Sequence, residues 1–337
     1  MTRIERLQKN GIRRLGSPKS GFRYRTAGGG APSAKDLARI RALVLPPAWK
    51  DVAIAPSARA HLQAVGRDAA GRWQYRYSEL HVRRSETHKF QRILEFAEAL
   101  PRMRAAVARD LALPGLPREK VLACIVRILS MCFLRPGSQV YAAENGSFGI
   151  ATLRNRHVHV RGDVVTYDFP GKSGKRQQAE MRDRTAAAMI RKLKKLPGAE
   201  VFKYVDGDGK VVDVKRRDIN KYIKEAMGEA FSAKDFRTWF GTLVCASELA
   251  RAGSHPRESR AARKRKMAEA VRKTAESLGN TPSVCRASYI YPSVLTSFER
   301  GRTIDRTAES IEKLATVRRG LRRSEKALIR LLKRKAA

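Results

Sequence analysis

A chain of 337 residues is long enough, at roughly 150 residues per domain, for two domains with cores of their own. It carries 71 Lys and Arg against 32 Asp and Glu, a formal net charge of +39. Self-repulsion on that scale opposes compaction unless a polyanion shares the field, so nucleic acid is the expected partner. An anionic membrane surface is set aside: no apolar run nears the ~20 residues of a spanning helix, no lipidation motif is present, and the basic residues are spread along the chain. Cys124, Cys132, Cys245 and Cys285 lack any C-x-x-C spacing. They read as small buried apolar residues in a reducing compartment, not as a zinc site or a disulfide framework. Residues 1–30 are basic without an apolar signal core, so the expected location is the cytoplasm, at the nucleoid in a bacterium.

In chain order, Phe22-Arg23-Tyr24-Arg25-Thr26 alternates as a short strand, and the three glycines after Ala27 make a turn. Ser33 with Asp36 forms a capping box for a helix carrying Leu37, Ile40, Leu43 and Val44, stopped by Pro46-Pro47. From Trp49 to Val82 the pattern is strand-like, with Val52-Ala53-Ile54 and then Arg72 to Tyr77 after the turn Asp68 to Gly71. Residues 1–85 are therefore expected to form a small β-rich domain. Trp73, Tyr75 and Tyr77 share one strand face and Gln74 and Arg76 the other. The aromatic face reads as core; the alternative is that the polar tips of this strand reach base edges or phosphates.

Beyond Arg83-Arg84-Ser85-Glu86 the chain turns helical. Phe90, Ile93, Leu94 and Phe96-Ala97 fit a period near 3.6, as do Val121, Ile125, Ile128 and Cys132. The second of these helices ends at Leu134-Arg135-Pro136-Gly137, which leaves Arg135 at a helix end, either aimed into a cleft or simply exposed. From Gly149 to Met181 three short runs, at 150–153, 157–160 and 164–169, predict an antiparallel meander. It leads to Pro170-Gly171-Lys172-Ser173-Gly174-Lys175, a glycine-rich hairpin that presents Lys172 and Lys175. A phosphate-binding loop would need Gly where Thr166 stands, so ATP binding is not expected. His157 and His159 share a strand face without a third ligand and read as polar surface residues.

Residues 182–252 are expected to be helical apart from the turn Val205 to Gly209. Ser232 with Asp235 is a second capping box, and it puts Lys234 and Arg237 in the first turns of a helix holding Trp239, Phe240, Leu243 and Val244. The helix from about Glu258 to Leu278, with Arg257 before it, is strongly basic and could track a duplex backbone. Leu278-Gly279 closes that helix, and Thr281-Pro282 starts another that carries Tyr289, with Asn280 in the turn between them. The remainder, from about Thr303, spaces Ile311, Leu314, Val317 and Leu321 helically and continues as a basic amphipathic helix through Lys335.

Two arginines, a hairpin lysine, a turn asparagine and a tyrosine thus lie at separate helix or hairpin ends. Attack of a phenol on a phosphodiester builds charge on two non-bridging oxygens and expels an alkoxide. Guanidinium forks match those oxygens, a lysine can protonate the leaving oxygen, and tyrosine can form the covalent adduct. Neither a metal nor a nucleotide cofactor is required.

These residues resemble the type IB DNA topoisomerases of the short poxvirus-like and bacterial kind, from Pro46-Pro47-Ala48-Trp49 through Tyr289. Arg72-Trp73-Gln74-Tyr75-Arg76-Tyr77 with His81-Val82 looks like the family's segment that reads the major groove, making Gln74, Tyr75, Arg76 and Tyr77 DNA contacts. Arg135 in Phe133-Leu134-Arg135-Pro136-Gly137 matches the first catalytic arginine; Glu144 to Gly149 followed by Leu153 to His157 match the sheet that follows. Lys172 falls on the hairpin general acid. Lys234-Asp235-Phe236-Arg237-Thr238 resembles the Lys-x-x-Arg box, with Arg237 the second catalytic arginine and Lys234 a phosphate contact or auxiliary acid. Tyr289 in Arg286-Ala287-Ser288-Tyr289 matches the nucleophile, and Asn280 stands where many members have His.

The resemblance implies an α+β protein: a β-rich N-terminal domain (1–85), a mainly helical catalytic domain with a small antiparallel sheet and hairpin (86–302), and a basic helical tail (303–337). It implies a monomer clamped on double-stranded DNA that nicks one strand through a 3′-phosphotyrosyl intermediate, relaxes supercoils of either sign and reseals without ATP or metal. A tyrosine site-specific recombinase would use the same chemistry, but with a His-x-x-Arg box where this chain has Lys234. A non-catalytic nucleoid protein would need the charge and not the five-residue constellation.

Overall fold

The computed structural model describes residues 1–254, 258–304, 308–314 and 320–334. Two compact units divide the chain, residues 1–90 and 91–337. In the first, α1 (Arg3–Asn10) is followed by β1 (Ile12–Ser17), β2 (Gly21–Arg25), α2 (Ala34–Ala42), β3 (Lys50–Ile54), β4 (Leu62–Arg67) and β5 (Trp73–Tyr77). The strands form one antiparallel sheet in the order β2-β1-β3-β4-β5. Ser33 caps α2 as expected, accepting from the Asp36 N–H at 3.1 Å. The helix α1 was not anticipated, although Thr2 and Glu5 close a reciprocal capping box at its start.

The small core of this unit gathers Ile12, Ile40, Val52, Ile54 and Ala64. The aromatic strand face does not join it: Tyr75 and Tyr77 are 45% and 39% exposed. Their rings lie 6.3 Å apart, and Tyr77 continues onto His81, itself stacked on His61. The expectation that this face is core therefore fails: the cluster is built from Ile54 on β3 and Ala64 on β4, and Ala64 pairs with Arg76, on the opposite face of β5 from Tyr75 and Tyr77.

The chain continues through α3 (Glu79–Leu111), inside which the boundary between the units falls, and α4 (Arg118–Cys132) and α5 (Gln139–Asn145). Next come β6 (Val158–Arg161), β7 (Val164–Pro170), β8 (Arg176–Arg182), α6 (Arg184–Leu193), β9 (Lys203–Val205) and β10 (Val211–Asp213). The helices α7 (Arg216–Met227), α8 (Ala233–Ala252), α9 (Arg260–Leu278), α10 (Pro282–Ser288), α11 (Pro292–Glu299), α12 (Ile311–Leu314) and α13 (Arg323–Lys333) complete the second unit. The fold is α+β.

The three-stranded antiparallel sheet exists, in the order β6-β7-β8, but its strands are not those expected. Residues 150–152 form a buried 3-10 turn, and the third strand is β8, after the hairpin. His157 also differs from its reading as a surface residue. It precedes β6 and is 5% exposed; its Nδ1 accepts from the Arg154 N–H at 3.1 Å, and burial with the nearby arginines lowers its pKa. Inside the region expected to be helical, β9 and β10 form a two-stranded ribbon around the turn at Gly209. All four cysteines are free and buried. The expectations at Arg257, Val317 and Lys335 lie outside the described residues.

Two helices carry the core of this unit. On α4, Val121 to Ile128 is almost unbroken apolar burial, and on α8 burial continues around every face from Asp235 to Leu249. A helix buried all round belongs at the centre of a domain. The final helix α13 packs on α8 and α11 and buries Leu328 and Leu332. Its Glu325, fully buried, accepts from both terminal nitrogens of Arg104 at 2.9 and 2.7 Å and from the Arg322 N–H at 2.8 Å.

Burial raises the pKa of Glu325, but the Arg104 bonds and charge outweigh it and hold it below the ordinary value. A carboxyl depressed in the fold stabilises fully above its unfolded pKa, and that contribution is lost as pH falls through the folded value. Glu325→Ala should cost about 1–3 kcal/mol in urea unfolding at neutral pH, since the half-buried Arg104 guanidinium loses both carboxylate bonds and keeps the Gly320 carbonyl. The difference from wild type should shrink on acidification below the ordinary glutamate range.

Candidate active site

The site is built where α4, α8 and α9 end or begin. Phe133, the residue that terminates α4, adopts a left-handed conformation with φ 53°, unusual for a residue with a side chain. It turns the chain sharply into Leu134, Arg135, Pro136 and Gly137. That segment is pinned by backbone bonds from Ile150 N–H to Arg135 O (2.9 Å) and from Ala151 N–H to Pro136 O (3.0 Å). Gly149 makes the approach possible, because a Cβ there would lie 2.6 Å from the Arg135 carbonyl oxygen.

On α8, Ser232 and Asp235 cap the first turn, and Arg92 donates to Asp235 at 2.7 Å. Just over one turn in, Arg237 is only 3% exposed. One of its terminal nitrogens donates to the Phe133 carbonyl, and the other to the Leu278 carbonyl at 2.8 Å. The cation thus joins the C-terminal ends of α4 and α9. Burial, then the nearby charge of Arg135, lowers its pKa to about 10.

Gly279 closes α9 in the left-handed region, with its N–H and that of Asn280 bonded back to Glu276 and Ala275. Asn280 then accepts from Arg135 Nη2 at 2.5 Å through Oδ1. Thr281 caps α10 with Pro282 behind it, as the sequence indicates. Tyr289 is not within that helix but is its C-cap, at φ −128°. The guanidinium of Arg237 stands over its ring, 5.1 Å from the centroid.

Two residues that sequence reasoning passed over hold the tyrosine backbone. The Thr242 hydroxyl shares its proton between the Thr238 carbonyl at 2.8 Å and the Tyr289 carbonyl at 3.2 Å, and accepts from the Tyr291 N–H at 3.1 Å. Gly241 lets α8 come close: a Cβ there would meet the Tyr289 carbonyl oxygen at 2.9 Å. A glycine inside an otherwise strong helix pattern was the available signal, since it costs about 1 kcal/mol unless packing requires it. Phe133 gave no such signal, because its contribution is a backbone carbonyl.

The structure therefore brings Arg135, Arg237, Asn280 and Tyr289 together, with Lys234, exposed on the first turn of α8, adding its charge to the phenol. Lys172 lies on the exposed turn between β7 and β8 and makes no side-chain bond among the described residues. Lys175 follows on the same turn and is exposed. In the first unit Tyr75, Arg76 and Tyr77 are exposed, while Gln74 is half-buried and donates to Asp68 at 2.8 Å.

The electrostatics favour an anion. Burial pushes the Tyr289 hydroxyl up, but the charges of Arg237, Arg135 and Lys234 outweigh it and hold its pKa below the usual 10. Arg237 Nε and Asn280 Nδ2 are buried without an acceptor among the described residues, although the Arg237 side chain also bonds to the Tyr289 hydroxyl. Unsatisfied buried donors cost about 1–3 kcal/mol each, and an oxyanion would satisfy them.

Comparison with known proteins places this chain in a class of isomerases that act on DNA topology. The description "Eukaryotic DNA topoisomerase I, catalytic core" matches residues 78–316, and "Bacterial DNA topoisomerase IB, N-terminal domain" matches residues 21–68. The DNA topoisomerase 1B of Acanthamoeba polyphaga mimivirus is 36% identical over 263 residues, covering 77% of this chain and 78% of that protein. The DNA topoisomerase 1B of Vaccinia virus (strain Copenhagen) is 27% identical over 108 residues, 32% of this chain and 34% of the viral one. The chain belongs to the type IB DNA topoisomerase family.

Spectrophotometric titration of the free protein, read as the difference between wild type and Tyr289→Phe, should show one phenol ionising below pH 10. Arg237→Gln should move that phenol upward, because the largest favourable charge is removed while burial remains. An unchanged midpoint in Arg237→Gln would show that the buried cation does not set the ionisation of Tyr289.

Proposed function

We propose that the chain relaxes supercoiled DNA by reversible transesterification at Tyr289. The Tyr289 oxygen bonds to the scissile phosphorus while the bond to the 5′ oxygen breaks, leaving a 3′-phosphotyrosyl enzyme and a 5′-hydroxyl strand. Arg135, Arg237 and Asn280 donate to the non-bridging oxygens, where charge develops. Lys172 gives its proton to the departing 5′ oxygen, and the phenolic proton leaves to solvent. The free strand end swivels under the torsion stored in the duplex, so both signs of supercoil relax. The 5′-hydroxyl then attacks the phosphotyrosine in the reverse step. Because that linkage conserves the bond energy, neither ATP nor a metal ion is consumed, and one protomer suffices.

The observation that carries this reading is the pair of unpartnered buried donors, Arg237 Nε and Asn280 Nδ2, beside a phenol whose pKa is held down by three cations. Each is costly alone, and one phosphodiester would satisfy them together. In the first unit, Tyr75, Arg76 and Tyr77 offer an exposed aromatic and cationic strand face suited to DNA, and Lys175 and Lys234 offer further phosphate contacts in the second.

The deciding experiment is relaxation of negatively and positively supercoiled plasmid in EDTA without ATP. Wild type should relax both and yield a covalent adduct on detergent quenching, whereas Tyr289→Phe should do neither while still retarding DNA. A protein that retards plasmid without relaxing it in either form would instead be a basic DNA-binding protein. The charge excess gives a second expectation. With six or more phosphates neutralised, duplex affinity should fall about 1,000-fold or more between about 50 and about 200 mM salt. A flat response would exclude extensive backbone contact.

A further inference from the structure

The turn that carries Lys172 is tied to the turn that carries Asn280 by one side chain. Gln177 stands on β8, paired across the ladder with Phe169 and half-buried. A Cβ added to Gly171 would collide with Gln177 Cγ. A Cβ added to Gly279 would collide with its Oε1 and come within 2.9 Å of both Cδ and Nε2. Gly171 immediately precedes Lys172, and Gly279 immediately precedes Asn280. The glutamine side chain therefore fills a slot between two glycines, one leading into each functional residue.

The rest of the hairpin supplies few alternatives for this link. Its neighbours Arg176 and Gln178 bond to Asp168, on the other side of the strand from Gln177. At the base, the Phe148 N–H donates to the Pro170 carbonyl at 2.8 Å, which ties the turn to the segment beside Gly149. Gln177, whose amide donates to the Arg176 carbonyl at 3.3 Å, packs against Gly279 beside Asn280, to which Arg135 donates. Close packing between two backbones with no Cβ in the way fixes position more firmly than an exposed lysine side chain can by itself.

We propose that Gln177 is a positioning residue for strand cleavage: it docks the hairpin so that Lys172 meets the leaving 5′ oxygen when Tyr289 attacks. The inference rests on the reading of Lys172 as the general acid. In the step concerned, the phosphorus–O5′ bond breaks, its electron pair stays on O5′, and the Lys172 proton neutralises it. Displacing the acid by about 1 Å is enough to cost up to about 100-fold.

The test compares single-turnover cleavage of duplex DNA bearing an oxygen or a sulfur at the 5′ bridging position of the scissile phosphate. A thiolate leaves without protonation, so loss of the acid is masked on the sulfur substrate. Gln177→Ala should be about 10- to 100-fold slower than wild type on the oxygen substrate and within about threefold of it on the sulfur substrate. Lys172→Ala should show the same rescue, and the double variant should be no slower than Lys172→Ala. Gly171→Ala, whose φ of −92° suits alanine, displaces the same side chain and should reproduce the profile if Gln177→Ala proves unstable. Equal slowing on both substrates, or none on either, overturns the role of Gln177. Rescue of Lys172→Ala without rescue of Gln177→Ala overturns it alone; no rescue of Lys172→Ala overturns the acid assignment beneath it.

Discussion

The site depends on a guanidinium held in the interior by neutral acceptors. Arg237 spends two donors on the carbonyls of Phe133 and Leu278, both at helix C-termini, where unpaired carbonyls carry partial negative charge. That arrangement makes burial of the cation tolerable without an opposing carboxylate, and among the described residues none is paired with it. An acidic partner would have cancelled the field that Arg237 exerts on its surroundings. With carbonyls in that role, the positive potential remains available to the phenol above it and to an anion bound beside it. The same two bonds fix the ends of α4 and α9 against α8, so placing the charge and assembling the site are one event.

Backbone conformation is the second constraint, and it follows from the first. For its carbonyl to face Arg237, Phe133 takes a left-handed conformation that costs about 1 kcal/mol or more, while its ring stays packed on Phe240 at 5.2 Å. The glycines at 149, 241 and 279 then admit backbone or side-chain neighbours that a Cβ would exclude. Each approach bears on one residue of the candidate site: Gly149 on the Arg135 segment, Gly241 on Tyr289, and Gly279 on the turn into Asn280. Strain and missing side chains are thus concentrated in the few residues that aim the chemistry, while α4 and α8 supply the apolar burial that holds them.

Local signals explain which parts were legible beforehand. Ser33, Thr281 and Gly279 mark helix ends through their own side chains or lack of one, and the structure uses all three as read; at Ser232 it is the Asp235 carboxylate that accepts, from the Ser232 N–H and hydroxyl. The strands were harder. The run Ile150-Ala151-Thr152-Leu153 is apolar because it is buried, and burial alone does not separate a strand from a 3-10 turn. With only three residues per strand, β9 and β10 carry no usable period. The aromatic alternation on β5 was correct as geometry and wrong as burial, because which face of a sheet is covered depends on residues elsewhere in the unit. The residue types of the site could be named in advance, but their partners could not, since Phe133 and Leu278 act through carbonyls that every residue has.

Asn280 shows why a residue's charge is an incomplete guide to its value at this position. A protonated histidine there would be a donor at both nitrogens and could not accept from Arg135; the two cations would repel. The asparagine carbonyl accepts from Arg135 at 2.5 Å and leaves Nδ2 as a free buried donor. Arginine carries about 2 kcal/mol of rotamer entropy, part of which is lost whenever its fork must be aligned. Here that alignment is already made before an anion arrives. In the proposed mechanism the neutral amide gives up a full charge toward the phosphate, and the preorganisation of Arg135 offsets part of that loss. Under the proposed function, Arg135 would carry the charge toward the phosphate and Asn280, through the bond at 2.5 Å, would fix where that charge points.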